Sequence, residues 1–476
     1  MFERILIANR GEIALRILRA CQDLGIQAVV GYSEVDRDSL PVRLADQAVC
    51  IGPGQASRSY NYIPSIISAA LATGCDAIHP GYGFLSENVT LAEICREVGV
   101  VFIGPEPESI STMSDKAVAR TTAQDAGVPI LPGTKEPLGK SVDVRALQRD
   151  IGFPMLLKAS AGGGGRGMRV ANDERELLRL LPLAQAEAQS AFANGAVYAE
   201  RYLERPRHIE VQILADRHGH VLSLGERDCS MQRRHQKLVE ESPAPGISKK
   251  LRSALQKDAV KLAREINYVG VGTFEFLVDE REKHYFIEAN TRIQVEHPVT
   301  EQVTGLDLID WQIRVAAGEM LDFEQKHARY QGHAIECRVN AEDPAADFAP
   351  SVGVVDGYLA PGGIGVRVDS HLYPGYVVPS VYDSLLGKII TWGPTREIAI
   401  ARMQRALAET VIDGISTTIP FLQHILASEQ FATGEVHTRV VNELMVTSKE
   451  DQGPRRSGLA MASQRGQDAP EADGSV

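Results

Sequence analysis

The sequence predicts a multidomain protein built from α/β and α+β domains. Strands and helices alternate at the start of the chain, and several groups of short strands follow. The chain has 476 residues, and at about 100–200 residues per domain this length predicts two to four domains. Hydrophobic residues make up 44% and charged residues 24% of the chain. This composition excludes a wholly disordered or fibrous protein.

The first domain is predicted to be a doubly wound α/β unit that ends near residue 112. The apolar run 3–8 predicts a strand, a segment with apolar residues at helical spacing ends at Gly25, and residues 27–33 predict a second strand. This order is typical of a βαβ unit in a parallel sheet. The turn contains only Gly11, so the three-glycine dinucleotide motif is absent and NAD binding is disfavoured.

The rest of the chain divides into further segments. A Pro-rich connector at 128–134 is typical of a domain boundary, and a compact α+β unit with the glycine run 162–165 follows it. Strands dominate residues 206–300, and a new set of short strands after about 335 ends in a helix from Thr395 to about residue 410. The polar C-terminal stretch is predicted to be disordered.

Charge and cysteine usage restrict the partners and the compartment. The net charge is −12, which argues against nucleic acid or an anionic membrane as the main partner. No apolar window approaches the roughly 18 residues that a membrane span needs, and the charged start has no secretory signal pattern. The six cysteines show no C-x-x-C spacing, so we expect a reducing cytoplasm and no zinc site.

The segment KASAGGGGRGM at 158–168 is a candidate phosphate-binding loop. Glycines 162–165 lack Cβ atoms, so their backbone N–H groups can approach phosphate oxygens, and Lys158, Arg166 and Arg169 supply positive charge. The segment does not match the Walker motif. A flexible linker is the alternative interpretation of this glycine run.

Two strands further along the chain carry polar side chains on one face. In RPRHIEVQILAD, His208, Glu210 and Gln212 alternate with apolar residues, a pattern that a half-buried strand with a solvated face also explains. Farther on, GTFEFLVD and HYFIEANTRIQVEHP predict a hairpin in which Glu275 and Glu288 approach each other across the strands.

The predicted hairpin is a candidate metal site. Facing carboxylates repel unless a cation lies between them, and oxygen ligands from Glu and Asn suit Mg²⁺ or Mn²⁺. A solvated surface stripe is the alternative. If the extended backbone continues past the second strand, one face carries a longer polar row, namely Glu288, Asn290, Arg292, Gln294 and Glu296.

The basic segment CSMQRRHQKLVEE is a candidate anion site. Arg233, Arg234, His235 and Lys237 lie within five positions, and in an acidic chain without interleaved aromatic residues a small anion is a better partner than nucleic acid. The remaining histidines show no ligand spacing and are interpreted as structural, namely His218, His220, His284, His327 and His333.

Taken together, these segments resemble one family, the biotin carboxylase component of biotin-dependent carboxylases, within the ATP-grasp superfamily. The resemblance runs from residue 2 to about 446 and rests on seven blocks in the family's order, namely HPGYGFLSEN, KASAGGGGRGM, ERYLERPRHIEVQ, ERDCSMQRRHQK, EANTRIQVEHPVTE, HAIECRVNAEDP and YDSLLGKII. Ala289 replaces a usual methionine and Arg201 a common lysine, and neither change touches the predicted chemistry.

The resemblance implies an ATP-grasp fold preceded by a doubly wound domain and followed by a C-terminal biotin carboxylase domain. The implied boundaries are 1–112 for the N-terminal domain, 113–335 for the ATP-grasp domain with a mobile lid at 131–203, 336–446 for the C-terminal domain and 447–476 for a disordered tail.

The resemblance also implies an ATP site with two divalent cations, Mg²⁺ or Mn²⁺. Glu275 and Glu288 would hold the metals, with Asn290 near them. The residues implied for ATP are Lys116, Lys158, Gly164 and Gly165 at the phosphates, Glu200, Arg201, Tyr202 and Leu203 at the adenine through backbone groups, and His208, Gln232 and His235 along the nucleotide.

The implied reaction has two steps, in which ATP phosphorylates bicarbonate to carboxyphosphate and the CO₂ released is transferred to biotin on a carrier protein. Glu296 would be the base that deprotonates bicarbonate. By the same resemblance, Lys237, Arg292, Gln294 and the backbone of Val295 would bind bicarbonate, Arg338 would stabilise the oxyanion of deprotonated biotin, and Tyr82 and Gly83 would lie beside the biotin ring.

The family's reaction is the first half-reaction of acetyl-CoA carboxylase, which leads to malonyl-CoA and fatty acids, or of a related acyl-CoA or pyruvate carboxylase. The sequence contains no Ala-Met-Lys-Met biotinylation site, so we expect the biotinylated carrier and the carboxyltransferase on separate chains, and a homodimer. Another ATP-grasp carboxylase or ligase acting on a small molecule, and a nucleotide-binding regulatory subunit without turnover, are the alternatives.

Overall fold

A five-stranded parallel sheet organises the N-terminal part of the computed structural model, which describes residues 1–139, 142–159, 168–192 and 194–451. The elements are β1 Arg4–Ile7, α1 Gly11–Asp23, β2 Gln27–Ser33, α2 Leu40–Leu44, β3 Gln47–Gly52, α3 Ile63–Ala72, β4 Ala77–His79, α4 Val89–Val98, β5 Val101–Phe102 and α5 Pro107–Ser114.

The order of this sheet, β3-β2-β1-β4-β5, confirms the predicted doubly wound topology. The direction of winding reverses between β1 and β4, so the loops that follow these two strands meet at the carboxyl edge of the sheet, where doubly wound proteins bind ligands. Gly11, the first residue of α1 directly after the first of these loops, has a φ of 67°, a conformation that favours glycine. Tyr82 and Gly83 lie in the second loop.

A small antiparallel sheet lies in the region predicted as the lid. The segment 116–201 contains α6 Lys116–Asp125, α7 Val144–Asp150, β6 Met155–Ala159, β7 Arg169–Ala171, α8 Glu174–Phe192 and β8 Val197–Arg201. Its three strands form the sheet in the order β7-β6-β8. Helices α7 and α8 pack on this sheet around Met155, Leu177 and Val197. Gly164 and Gly165 lie outside the described residues.

An eight-stranded antiparallel sheet forms the centre of the molecule. The segment 207–316 contains β9 Arg207–Ala215, β10 Val221–Arg233, β11 Gln236–Ser242, α9 Lys249–Glu265, β12 Gly270–Val278, β13 His284–Asn290, α10 His297–Thr304 and α11 Leu308–Ala316. Three later strands complete the sheet, namely β14 His333–Asn340, β19 Val366–Ser370 and β21 Leu385–Gly393. The strand order is β13-β12-β9-β10-β11-β14-β21-β19. Strands β14, β21 and β19 come largely from beyond residue 335, so the sheet crosses the predicted domain boundary, which stays a prediction.

The C-terminal elements are β14 His333–Asn340, β15 Glu342–Asp343, β16 Ala349–Pro350, β17 Gly353–Val354, β18 Gly357–Leu359, β19 Val366–Ser370, β20 Val377–Val378, β21 Leu385–Gly393, α12 Arg396–Glu409, β22 Val411–Asp413, α13 Ile419–Ala427, α14 Glu429–Thr433 and α15 Val440–Asp451. The predicted helix from Thr395 is confirmed, with Thr395 as its N-cap. Helix α15 runs to Asp451, and its first residues, Val440 and Val441, pack in the core. The predicted start of the tail at 447 stays a prediction, and residues 452–476 lie outside the described residues.

Strand register places four charged residues in one row across the central sheet. Arg227 on β10 is opposite Glu210 on β9, Glu210 is opposite Glu275 on β12, and Glu275 is opposite Glu288 on β13. The predicted approach of Glu275 and Glu288 across a hairpin is thus confirmed.

The extended polar row predicted beyond β13 is wrong after Asn290. The strand ends there, and residues 291–296 lead into helix α10, which has Glu296 at its N-cap position and Pro298 in its first turn. Among the helices within the described ranges, none is long and apolar enough to cross a membrane.

Replacing Phe274 by alanine is expected to destabilise the central sheet. Phe274 is 1% exposed and packs against Tyr268 and Phe286, so the substitution leaves a cavity and costs ~3–5 kcal/mol of unfolding free energy. Denaturant unfolding measures this cost. Leu71→Ala is the control, because Leu71 is 53% exposed and should change stability by less than ~0.5 kcal/mol. Equal losses for the two variants would contradict the prediction.

Candidate active site

One ammonium group, that of Lys237, holds three buried carboxylates together. Its Nζ donates to Glu210 Oε2 at 2.6 Å, to Glu275 Oε1 at 3.1 Å and to Glu296 Oε1 at 2.5 Å. Burial alone would lower the pKa of Lys237, but the acidic groups around it raise that pKa well above its usual value. Lys237 therefore stays charged, and the predicted anion-binding lysine lies at the centre of the site.

Glu275 is the most heavily bonded of these carboxylates. Besides Lys237, it accepts hydrogen bonds from Asn290 Nδ2 at 2.8 Å and from Gln294 Nε2 at 2.8 Å, and His208 Nε2 lies 2.7 Å from its Oε2. Burial favours the neutral acid, yet Lys237 and His208 hold the pKa of Glu275 well below its usual range. The polar face predicted for β9 is thus buried and paired rather than solvated.

Glu288 faces Glu275 across the hairpin without a comparable set of donors. It keeps an exposed surface, but desolvation by the surrounding protein and the nearby Glu275 carboxylate raise its pKa, while Lys116 opposes that shift. Two carboxylates that face each other in register repel when both are ionised, and a divalent cation between them would remove that repulsion. The pair therefore fits the predicted metal site.

Asn290 contributes differently from a simple metal ligand. Its Nδ2 faces Glu275, and its Oδ1 accepts a 2.7 Å hydrogen bond from Arg292 Nη2. The amide oxygen is therefore directed at Arg292 in this arrangement. A second group of possible ligand atoms, on His208, Glu210 and Glu275, lies within 4.8 Å of one another, but Lys237 already neutralises its carboxylates.

Glu296 lies between two cations at the start of helix α10. Lys237 Nζ bonds its Oε1, and Arg338 Nη2 donates to its Oε2 at 2.8 Å. Burial, at 1% exposure, would raise the pKa of Glu296, but Lys237, Arg338 and Arg227 hold it well below its usual value. Glu296 is therefore an ionised carboxylate at neutral pH, able to accept a proton.

Arg338 is shared between Glu296 and a second buried acid, Glu240. Its Nε donates to Glu240 Oε1 at 2.6 Å, while Glu240 Oε2 has no partner among the described residues. Burial is the main cause that raises the pKa of Glu240 to about 7, and Arg338 opposes it. Arg338 thus stands at the junction of the predicted bicarbonate and biotin contacts.

Arg292 is oriented by the N-terminal domain. Its Nε donates to Glu87 Oε2 at 2.9 Å, and Glu87 also accepts from the backbone N–H of Thr291 at 2.9 Å. These contacts keep Arg292 beside Asn290 and Gln294 although the backbone is not extended there. The turn therefore brings Arg292, Gln294 and Glu296 to the site by a different route from the predicted strand.

The nucleotide-side residues cluster around Lys158 and His235. Lys158 Nζ donates to both oxygens of Glu200, at 2.8 and 2.9 Å, and Arg120 Nη1 donates to Glu200 at 3.2 Å. Burial, with the nearby charges of His208 and Lys158, lowers the pKa of His235. Gln232 lies on β10, is buried, and is opposite Lys237 on β11.

Two backbone N–H groups of the segment 200–203, which is predicted to border the adenine, already donate hydrogen bonds within the protein. The N–H of Arg201 donates to Pro132 O at 2.8 Å, and the N–H of Tyr202 donates to Pro154 O at 3.0 Å. Adenine contacts at these two positions would therefore use carbonyl oxygens. Leu203 follows directly and is half-buried.

Tyr82 and Gly83 lie at the opposite end of the cleft. The Tyr82 hydroxyl donates to Glu12 Oε1. Gly83 has a φ of 68° and is exposed, and a Cβ built on it would meet nothing within 4 Å. Gly83 thus borders open space, as a residue beside a bound ring would.

Sequence reasoning missed several residues that organise this site. Arg227, which is fully buried, donates to Glu210 Oε1 at 2.5 Å and to Gln294 Oε1 at 2.8 Å. It also donates to Gln212, Thr273 and Thr300. The available signal was the run Glu226-Arg227-Asp228, three consecutive charged residues in a region predicted to be dominated by strands. Glu87, Glu240 and Lys388 gave none, because their partners are far away in the sequence.

Comparison with known proteins identifies the family. Three family models match, namely the biotin carboxylase N-terminal domain at residues 1–110, the ATP-binding domain of the carbamoyl-phosphate synthase L chain at 115–324 and the biotin carboxylase C-terminal domain at 336–443. A biotin carboxylase from Nostoc sp. is 56% identical over 443 residues, covering 93% of this chain and 99% of the relative. The chain belongs to the biotin carboxylase family.

Other biotin carboxylases agree in sequence and structure. Biotin carboxylase 1 of Bacillus subtilis is 53% identical, with 92% of this chain and 98% of the relative covered. The crystal structure of a Campylobacter jejuni biotin carboxylase in a complex described as β-γ-ATP has a TM-score of 0.89 at 48% identity, with 93% and 99% coverage.

A third comparison concerns ligands and assembly. The biotin carboxylase domain dimer of the Hydrogenobacter thermophilus 2-oxoglutarate carboxylase, solved with MgADP, ADP and bicarbonate, has a TM-score of 0.88 at 47% identity, with 94% and 99% coverage. The same biotin carboxylase fold therefore occurs in enzymes named for different acceptors.

Replacing Glu240 by glutamine is expected to change how stability depends on pH. The pKa of Glu240 is about 7 in the folded protein, above the value of about 4.3 for an unfolded chain. Glu240 therefore binds a proton more tightly in the native state than in the unfolded chain. The stability that this proton adds to the native state is lost as pH rises through about 7. Glutamine does not titrate, so the melting temperature of Glu240→Gln relative to wild type should rise between pH 5 and pH 8.

The control for this measurement is Glu265→Gln on the exposed surface of helix α9. Its melting temperature relative to wild type should stay constant across the same range. A constant difference for Glu240→Gln as well would contradict the raised pKa.

Proposed function

We propose that this protein uses ATP and bicarbonate to carboxylate biotin held by a carrier protein, through a carboxyphosphate intermediate. Membership of the biotin carboxylase family supports this function. The observation that carries it is the ionised Glu296 carboxylate, held between Lys237 and Arg338 in a cleft that also presents Arg292 and Gln294. A base surrounded by fixed cations is what deprotonating and binding a small oxyanion requires.

ATP would lie between the lid and the central sheet, with the site residues in the roles given above. Lys116 and Lys158 would hold its phosphates together with Gly164 and Gly165, and His208, Gln232 and His235 would line the nucleotide. Glu275 and Glu288, with Asn290 near them, would hold two Mg²⁺ or Mn²⁺ ions, which when bound neutralise phosphate charge. The MgADP described for the Hydrogenobacter relative supports this assignment.

The bicarbonate step begins with a proton transfer. Lys237, Arg292, Gln294 Nε2 and the backbone of Val295 would bind the anion with its proton towards Glu296. When Lys237 turns towards bicarbonate, Glu296 loses one of its two neighbouring cations, so its affinity for a proton rises. The deprotonated oxygen then attacks the γ-phosphorus of ATP, and ADP leaves as carboxyphosphate forms.

The second step transfers the carboxyl group to biotin. Carboxyphosphate releases CO₂ and phosphate, the released phosphate accepts the proton of the biotin ureido nitrogen, and that nitrogen then attacks CO₂. Arg338 would stabilise the negative charge that develops on the ureido oxygen, because a fixed guanidinium is already in place when that charge forms. Tyr82 and Gly83 would lie beside the biotin ring.

The partners in this proposal are a biotinylated carrier on a separate chain, a carboxyltransferase and a second copy of the biotin carboxylase. The dimer described for the Hydrogenobacter relative supports the homodimer. The reaction would form the first half of acetyl-CoA carboxylase or of a related acyl-CoA or pyruvate carboxylase. The six cysteines, none in a disulfide, support a reducing compartment such as the cytoplasm.

Glu296→Gln is expected to abolish biotin-dependent ATP cleavage while nucleotide binding is kept. The amide keeps the size of the side chain but cannot accept the bicarbonate proton, so turnover should fall ~10²–10⁴-fold. Phosphate release in the presence of bicarbonate and free biotin measures turnover, and a fluorescent nucleotide titration measures binding. Glu265→Gln should retain wild-type turnover. Wild-type turnover in Glu296→Gln would place the base elsewhere.

Glu288→Gln is expected to weaken Mn²⁺ binding in the presence of ADP. Removing one carboxylate of the facing pair removes both a ligand and the repulsion that a cation relieves, so affinity should fall ~10-fold or more. Electron paramagnetic resonance of free Mn²⁺ measures it. Glu280→Gln, in the exposed turn of the same hairpin, is the control. Equal Mn²⁺ affinity in both variants would argue against the metal assignment.

A further inference from the structure

Lys388 is a fully buried lysine at the junction of three regions of the chain. It lies on β21 and is 0% exposed. Its Nζ donates to the carbonyl oxygen of Val295 at 2.8 Å and lies 3.2 Å from Glu12 Oε1. It therefore joins the C-terminal region, the loop between β13 and α10, and the N-terminal helix α1.

Glu12 continues this connection towards the cleft. It lies in the first turn of α1 and is 3% exposed, and the oxygen that faces Lys388 also accepts the hydrogen bond from the Tyr82 hydroxyl. Asn9 Nδ2, just before α1, donates to the carbonyl of Tyr82 at 2.7 Å. The loops after β1 and β4 are thus tied together at the point where the sheet reverses direction.

The charge on this buried pair is held by its surroundings. Burial would lower the pKa of Lys388, but Glu12, Glu336 on β14 and Asp369 on β19 raise it, with Arg367 opposing them. Burying an ion pair costs desolvation free energy that an apolar pair of similar size avoids. Because this pair contacts Tyr82 at one end of the cleft and Val295 at the other, we infer that it positions these residues in addition to any effect on stability.

We propose that Glu12 and Lys388 are positioning residues that couple the biotin end of the cleft to the bicarbonate end. The proposal rests on the proposed function, since it takes Tyr82 as the biotin contact and Val295 as part of the bicarbonate site. A chain of contacts links the two ends of the cleft. It runs from the Tyr82 hydroxyl to the Glu12 carboxylate, then to the Lys388 ammonium and the Val295 carbonyl. Biotin bound against Tyr82 therefore favours one orientation of the Val295–Glu296 peptide, and with it the arrangement of the bicarbonate contacts.

Such coupling has a measurable form. If biotin strengthens bicarbonate binding by a factor, bicarbonate strengthens biotin binding by the same factor. The bicarbonate dissociation constant, measured with Mg²⁺ and a non-hydrolysable ATP analogue at low and at saturating free biotin, gives this factor as a ratio. We expect about fivefold or more in the wild-type enzyme.

Lys388→Met should reduce this factor to about 1, because the thioether keeps the length of the side chain and loses both contacts. The substitution leaves Glu12 buried without its cation, which endangers folding. The double variant Glu12→Leu/Lys388→Met replaces the ion pair by apolar groups of similar size, so that no Glu12 carboxylate stays buried without its cation. It should fold, cleave ATP and also show a factor of about 1.

Arg396→Met is the matched control. Arg396 forms a largely buried ion pair with Glu241, at 2.7 Å, between α12 and β11, and its hydrogen bonds reach neither Tyr82 nor Val295. It should lower the melting temperature and keep the wild-type factor. This contrast separates a positioning role from general destabilisation.

Two results would overturn the inference. The first is a wild-type enzyme that cleaves ATP in response to biotin with a factor of 1. The second is a double variant that keeps the wild-type factor. A wild-type enzyme without any biotin-dependent ATP cleavage would instead overturn the proposed function, and the inference with it.

Discussion

The site depends on one electrostatic constraint, the sharing of the Lys237 ammonium by three buried carboxylates. Glu210, Glu275 and Glu296 come from two strands and a helix cap, and each bonds the same nitrogen. Without a common cation, desolvation and mutual repulsion would protonate at least one of them. Because Arg227 pairs with Glu210 and Arg338 with Glu296, the arrangement is a network of alternating charge rather than a set of separate ion pairs.

This network explains how an acidic protein can handle anions. The net charge is −12, yet the cleft collects Lys116, Lys158, Lys237, Arg292 and Arg338. Several of these cations are already paired with carboxylates, so an incoming anion exchanges one partner for another. Such an exchange avoids the cost of burying an unpaired cation before the substrate arrives, and it couples substrate binding to the protonation of the released carboxylate.

Sequence reasoning found the site where local patterns carry information. Alternation along β12 and β13 predicted that Glu275 and Glu288 face each other, and the basic run around Lys237 predicted an anion site. The same reasoning failed after Asn290, because the strand ends there and the chain leads into helix α10. Contacts such as Arg227 with Gln294 or Arg292 with Glu87 join residues 67 and 205 positions apart. Periodicity contains no signal for such distances, and only the packed fold brings these side chains together.

The continuity of the central sheet has an evolutionary consequence. Sequence similarity divides this region into a match that ends at 324 and another that begins at 336, whereas β14 hydrogen-bonds directly to β11 across that division. A strand edge exposed by separating the two segments would invite pairing with other chains. Recombination between relatives at this point would have to preserve a hydrogen-bonding edge and the Arg338 contact beside it. The two segments are therefore expected to be inherited together, as one unit of folding.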